Sequence, residues 1–251
     1  MSETTLFGLR IYSGSIDALI PRVLDKIEKG ARIYNASINA SKVAMCYRSD
    51  SFRRTMLSFD LLTADGMSIV VGARLCGFRV HERIGGIDLM GRLLAAAGPH
   101  GLSVYLLGAR PAVLERAAAA MQKTYPDLRI AGMRDGYFDP EDEDNVVREV
   151  SLSGADLLFM GMGSPRKEEF LIRNRERLNV RYAMGVGGAF DVWAGHVRRA
   201  PRWVQNCGME WFYRLWQEPR RLGGKYLRDN ALFAALLARE MCGLGRREPR
   251  G

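Results

Sequence analysis

Asp65 stands in the string Thr63-Ala64-Asp65-Gly66-Met67, after an apolar run and directly before glycine. A carboxylate presented where a strand ends, with a permissive turn behind it, is placed for general-base work: it can take the proton of a hydroxyl as that oxygen attacks. Asp before Gly is also ordinary turn chemistry and can cap the next helix. Ser37-Ile38-Asn39 brings a hydroxyl and an amide to the end of a second apolar run, and reads equally as a cap for the segment that follows. The third chemical string is Gly185 to Arg221. It opens on the turn Gly185-Val186-Gly187-Gly188, continues with the carboxylate Asp191, and then interleaves basic residues with Trp, Tyr and Phe. Glycines let a backbone approach a ligand closely. The planar fork of arginine gives phosphate two parallel charge-assisted hydrogen bonds. Interleaved aromatics suit the interfacial layer of a membrane. The combination points to a phosphorylated, lipid-linked ligand.

Other strings carry less. Gly161 to Glu169 (GMGSPRKEE) turns into a helix start, where anions are favoured, but it lacks the GxxxxGK[ST] of a nucleotide-hydrolysing loop. Gly185 to Phe190 approaches GxGxxG and has Phe190 where the last glycine belongs, which makes a dinucleotide site a weak reading. Asp142-Glu143-Asp144 has the form of a metal-binding DxD but sits in an acidic stretch that reads as a solvated helix start. The four cysteines form no CxxC pair, and with three histidines in the chain they make no zinc pattern, so free thiols in a reducing cytoplasm are expected.

These residues need a frame, and the apolar pattern supplies one. Strands are expected at Ala31–Ile38, Asp60–Ala64, Ser103–Leu107, Leu128–Gly132, Leu157–Met160 and Arg181–Val186. Helices are expected at Ala40–Tyr47, Ile87–Ala97, Pro111–Tyr125, Glu141–Ser153 and Pro165–Leu178. Strand-helix alternation argues for an α/β fold, a mostly parallel sheet with helices on its flanks. In such sheets ligands bind at the carboxyl ends of the strands. Asn39, Asp65-Gly66, Gly108, Gly161-Met162-Gly163 and Gly185 to Gly188 would then share one edge.

After about Pro201 the pattern changes, so residues 1–200 read as the catalytic core and 201–251 as a helical, basic appendage. Helices at Met209–Gln217 and Tyr226–Cys242 would be joined by a glycine-containing linker, Glu218 to Gly224, able to hinge. From Arg198 to Gly251 there are 12 Arg/Lys and 5 Asp/Glu, a net +7 of the chain's +9. A concentrated basic patch implies an anionic partner, although a solvated basic tail has the same composition. Met1 to Ile11 is too polar for a secretory signal, and no run is long and apolar enough for a transmembrane helix.

Taken together, the strings resemble the WecG/TagA/CpsF glycosyltransferases. They run in order: Ser37-Ile38-Asn39, Thr63 to Gly66, Arg83-Ile84-Gly85-Gly86-Ile87-Asp88-Leu89-Met90, Tyr105 to Gly108, Asp135-Gly136-Tyr137-Phe138, Gly161 to Glu168, Gly185 to Trp203, Glu210 to Leu215 and Glu218 to Arg221. The resemblance implies a Rossmann-like core with a C-terminal appendage, and a peripheral enzyme on the inner face of the plasma membrane. It implies transfer of a hexose or N-acetylhexosamine, ManNAc-type or glucosyl, from a UDP-sugar to an undecaprenyl-pyrophosphate-linked sugar; an inverting transfer is the mechanism expected beside it. No tightly bound metal or other cofactor is expected. Asp65 is the expected base, with Ser37 and Asn39 nearby. Arg83, Asp88, Gly108, Tyr137, Gly163, Arg166, Glu168, Gly187, Gly188 and Asp191 are the expected substrate contacts. Arg214, Arg220 and Arg221 are expected near the lipid pyrophosphate, on an anionic membrane surface. Relatives often carry glutamine where this chain has Lys167, and threonine where it has Ser37. A nucleic-acid-binding α/β protein would explain the charge, and an NAD-dependent oxidoreductase the alternation. The first lacks a recognised binding motif, and the second lacks the third glycine and a clear ribose-binding acid.

Overall fold

A computed structural model of the chain describes residues 2–201, Val204, Phe212, Tyr213, Trp216 and 219–243, with backbone alone at 219–222 and 225. The elements are β1 Glu3–Leu6, β2 Leu9–Tyr12, α1 Ile16–Glu28, β3 Ile33–Ile38, α2 Ala40–Arg48, α3 Asp50–Leu57, β4 Leu61–Ala64, α4 Met67–Leu75, α5 Gly86–Ala97 and β5 Ser103–Gly108. They continue with α6 Pro111–Thr124, β6 Arg129–Arg134, α7 Glu143–Leu152, β7 Leu157–Gly161, α8 Arg166–Arg173, β8 Tyr182–Gly185, α9 Ala189–Trp193 and α10 Pro219–Met241.

Six strands form one parallel sheet in the order β4-β3-β8-β7-β5-β6. Strands β3, β4, β5 and β8 are buried along their whole length, which is why they read as continuous apolar runs instead of alternating ones. The alternation is still there, hidden between two cores. Tyr34, Ala36, Tyr105, Leu107, Leu158, Met160 and Ala183 face one core with α2, α3, α4, α7 and α8. Ile33, Val104, Leu106, Leu157, Phe159, Tyr182 and Met184 face the other with α1, α5, α6 and α9. The fold is therefore Rossmann-like, as the alternation predicts.

The chain leaves β3 toward one face, through α2, and the neighbouring β8 toward the other, through α9. The loops part above these two strands and leave a crevice there. Everything that positions the site follows from this split.

Several local expectations are corrected. A β1–β2 hairpin precedes the core, turning at Phe7-Gly8 with both residues at positive φ, 53° and 69°. A two-residue hairpin turn needs that geometry, and Phe7 hid it because the usual residue there is Asn, Asp or Gly. Phe7 is held in place from outside: Arg53 donates to its carbonyl at 3.0 Å, its N–H donates to Glu240 at 3.3 Å, and its ring meets Phe233 edge-on at 5.5 Å. Helix α8 stops at Arg173, short of the expected Leu178.

The larger correction concerns the linker. Pro219 to Met241 is one helix, so Gly223-Gly224 lies inside it and forms no hinge between helices. Proline suits a helix's first turn, and the burial of one helical face carries the two glycines. Phe233 is buried in the first core, Leu236 and Leu237 pack on it, and Leu237 reaches Gly72 of α4, where a β-carbon would sit 3.2 Å away. Of the expected helix Met209–Gln217, Phe212, Tyr213 and Trp216 are described, the last two with rings 6.3 Å apart; the rest lies outside the described residues. Cys46, Cys76 and Cys242 are free thiols. Among the described residues no helix is long and apolar enough to cross a membrane.

Candidate active site

Strands β3 and β4 pair in register, Ser37 opposite Thr63 and Ile38 opposite Ala64, so the next residues, Asn39 and Asp65, leave the sheet side by side. The Asp65 N–H donates to the Ile38 carbonyl at 2.8 Å and ties the two exits together. Asn39 caps α2, its side chain accepting from the Lys42 N–H at 3.0 Å. That engages the amide oxygen, while the amide nitrogen has no hydrogen bond among the described residues. Gly66 follows Asp65 at φ 155°, a conformation that favours glycine, and starts α4 without a side-chain cap. Asp65 is therefore at a helix entry without spending its carboxylate on the cap.

The segment before α5 returns across the end of β4, Ile84 donating to the Ala64 carbonyl at 2.8 Å. This brings Arg83 to Asp65, Nη1 to Oδ1 3.6 Å, and to Asp88 at 3.3 Å. Arg199 holds Asp88 from the far side with two 2.6 Å hydrogen bonds. Asp88, expected as a substrate contact, is thus paired with two arginines and lies outside the cleft lining.

Beneath them lies a cluster that sequence reasoning did not assemble. Lys42 and Lys167 are each 5% exposed and Glu168 1%. Both ammonium groups meet the same Oε1 of Glu168, at 2.9 and 2.8 Å. Lys42 also donates to the carbonyl and hydroxyl of Ser37 at 2.6 and 3.3 Å. Lys167 donates to Ser164, whose hydroxyl donates to Glu168 at 2.9 Å. Burial lowers Lys167 to about 8, and Lys42 beside it pushes the same way. Burial alone would raise the Glu168 carboxyl; the two lysines outweigh it and hold the group at about 2. A lysine among Val43, Ala44 and Cys46 on the buried face of α2 was the signal that could have found Lys42.

These groups surround a cleft of about 590 Å³ above β4, β3 and β8, within the range of small-molecule sites. Of the expected residues, Asp65, Ser37, Asn39, Arg83, Gly187 and Gly188 line it. So do Lys42, Lys167 and, from α10, Tyr226, Asn230 and Phe233. The appendage helix is part of the site wall, docked on α2 through buried Asp229, which accepts from Arg48 at 2.6 Å and from Ser41.

The other expected contacts sit outside the lining. Gly108, at φ 131°, is there because a β-carbon would fall 2.5 Å from the Gly161 carbonyl oxygen. Phe190, the residue that breaks the GxGxxG pattern, is fully buried where a β-carbon on Gly161 would be. Tyr137 is 70% exposed, with Arg110 5.9 Å from its ring centre. Arg166 donates to the Phe138 carbonyl at 2.6 Å and lies over that ring. Gly163 lies in the turn before α8, where its carbonyl accepts from the Lys167 N–H at 3.2 Å, and Asp191 lies in the first turn of α9. Glu168 lies behind the lysines. Arg214 and the side chains of Arg220 and Arg221 lie outside the described residues. The acids of the DxD-like string are engaged elsewhere, Asp142 by Arg134, Glu143 by Arg173 and Asp144 by Arg177.

Fold and cleft define a Rossmann-like α/β protein with an acid, a set of cations and glycine turns gathered in one crevice at its strand ends. The match of a family-wide sequence model, described as Glycosyl transferase WecG/TagA/CpsF family, spans residues 4–247. The chain belongs to that family, and is a glycosyltransferase of cell-wall polysaccharide synthesis.

Proposed function

We propose that the protein transfers a hexose or N-acetylhexosamine, ManNAc-type or glucosyl, from a UDP-sugar to a sugar carried on undecaprenyl pyrophosphate, with inversion at the anomeric carbon. The observation that carries this reading is the placement of Asp65. Its carboxylate stands at the cleft, level with Asn39, opposed by Arg83 at 3.6 Å and not used as a helix cap.

Asp65 takes the proton of the acceptor hydroxyl as that oxygen attacks the anomeric carbon; the bond to UDP breaks on the opposite face, and the electron pair leaves with the diphosphate. Charge on the leaving group is met by arginines and by backbone N–H groups at the strand exits, without a resident metal or cofactor. Asn39 and Ser37 position the sugars. Arg214, Arg220 and Arg221 meet the acceptor pyrophosphate, and the basic C-terminal region holds the enzyme on the anionic inner face of the plasma membrane, where each basic residue contributes about 1 kcal/mol.

The test is UDP release from a panel of UDP-sugars, with and without a short-chain polyprenyl-pyrophosphoryl sugar. Acceptor-dependent release is expected, falling by ~10²–10⁴ in Asp65→Asn while UDP still raises the melting temperature. Near-normal turnover in folded Asp65→Asn would remove Asp65 from the role. Absence of both release and a UDP thermal shift would sink the transferase reading with UDP-sugars.

A further inference from the structure

Four charged side chains are linked from the cleft to the segment after α9: Asp65, Arg83, Asp88 and Arg199. Their contacts are unequal. Arg199 grips Asp88 with both arms of its guanidinium, Nη1 to Oδ1 and Nη2 to Oδ2, each at 2.6 Å. Arg83 reaches the same carboxylate with one nitrogen, Nη2 to Oδ2 at 3.3 Å, and turns Nη1 to Asp65 at 3.6 Å. Asp65 and Arg83 line the cleft; Asp88 and Arg199 do not.

A carboxylate takes a guanidinium best through two parallel hydrogen bonds. Two arginines therefore compete for one fork-shaped site on Asp88, and Arg199 holds it. Arg83 stands five residues before Asp88, and the backbone lets it fold back: a β-carbon on Gly85 would fall 2.8 Å from both Arg83 Nη1 and Asp88 Oδ2. Arg199 comes from a distant part of the chain, and its neighbour Ala200 is buried, which fixes where that backbone runs. With Arg199 removed, Arg83 would take the vacated fork and turn away from Asp65.

We propose that Arg199 is a positioning residue for the transfer: by filling the Asp88 fork it keeps the Arg83 guanidinium turned to Asp65 and the cleft. In the sequence Arg199 is one of the basic residues that read as partners for an anionic ligand; the fold commits its charge to Asp88 instead. This inference rests on the UDP-sugar reading above, in which arginines meet the charge of the leaving group.

Acceptor-dependent UDP release, with calorimetric UDP binding beside it, tests this on the full chain. Arg199→Gln is expected to lower kcat/KM for the UDP-sugar about tenfold, as loss of one charge-assisted contact gives. In an Arg83→Gln background the same substitution is expected to change little, because the residue it acts through is gone. Asp88→Asn, added to Arg199→Gln, is expected to restore most of the loss, since a neutral amide draws Arg83 far less than a carboxylate does. An Arg199 that only braced the fold would show no such rescue, because removing its partner would add to the damage. Arg199→Lys keeps the charge without the fork, is expected to fall between, and stands in should Arg199→Gln fail to fold. A value within about twofold of wild type in the folded Arg199 variant overturns the proposal while UDP binding stands. So does an equal loss with and without Arg83, or an Asp88→Asn double variant no better than Arg199→Gln alone. If the unmutated protein neither binds UDP nor releases it, the transferase reading falls and this inference with it.

Discussion

The aliphatic stem of Lys167 lies against the α-carbon of Gly185: a methyl group there would come within 2.7 Å of Lys167 Cδ and 2.8 Å of Cε. The first glycine of the Gly185 to Gly188 turn is therefore fixed by a neighbour's path across the cleft wall.

Gly185→Ala follows directly. The added methyl must displace the lysine stem or the end of β8, and overpacking of this kind typically costs about 1–3 kcal/mol. A fall in melting temperature and a several-fold rise in donor KM are expected. An unchanged KM in a destabilised protein would mean that the lysine's position does not matter to the donor.

The sheet was legible because its strands are short apolar runs closed by glycine or polar turns, and parallel pairing then places their exits on one edge. That rule put Asp65, Asn39 and Gly187 on one edge, and the family resemblance gave Asp65 and Asn39 their expected roles. What could not be read was which exits meet. Gly108 and Gly161 look like ligand turns in the sequence, yet each is occupied by protein, one by a backbone carbonyl and the other by the Phe190 ring. The cationic wall was hidden for the opposite reason: Lys42 and Lys167 are 125 positions apart and look like surface residues until the fold buries both on Glu168. The Glu218 to Gly224 string reads as a linker by composition, and tertiary burial of Phe233, Leu236 and Leu237 overrides it.

Helix α10 supplies Tyr226, Asn230 and Phe233 to the cleft, and Asp229 anchors it. Asp229→Ala removes the acceptor of Arg48 and Ser41 and leaves a buried gap between α10 and α2. A loss of about 1.5–3 kcal/mol in unfolding free energy is expected, the range for hydrogen bonds to a charged group. Hydrogen exchange should quicken across 226–241 more than in β3 or β7. Uniform exchange rates would show that other contacts hold the helix.

Lys167 loses its charge as pH passes about 8. The charged groups acting on it are Lys42 from α2, Glu168 from α8 and Asp65 from the turn after β4. Since its folded value lies below the ordinary 10.5, the native state gives up this proton first, and the lysine's contribution to stability rises with pH between about 8 and 10.5. Function should move the other way. Lys167 lines the cleft, so kcat/KM for a UDP-sugar is expected to fall above about pH 8, and that limb should be missing in Lys167→Gln. An identical alkaline limb in wild type and variant would assign it to another group.

Glu168 meets both buried lysines, and two substitutions in this cluster should differ in size of effect. Glu168→Gln leaves two buried lysines facing each other without a carboxylate, and removing one partner of a buried charge set costs about 3–5 kcal/mol. Lys167→Gln leaves one lysine paired with one carboxylate, so stability should stay within about 1 kcal/mol of wild type or rise. In the unmutated protein the carboxylate's own contribution is complete above about pH 4.5, because its folded value is about 2 against an ordinary 4.5, and it is lost as pH falls through that interval. Denaturant unfolding of the three proteins at pH 7 reads the difference. If Glu168→Gln unfolds with Lys167→Gln, near wild type, the two lysines find other partners and do not depend on Glu168.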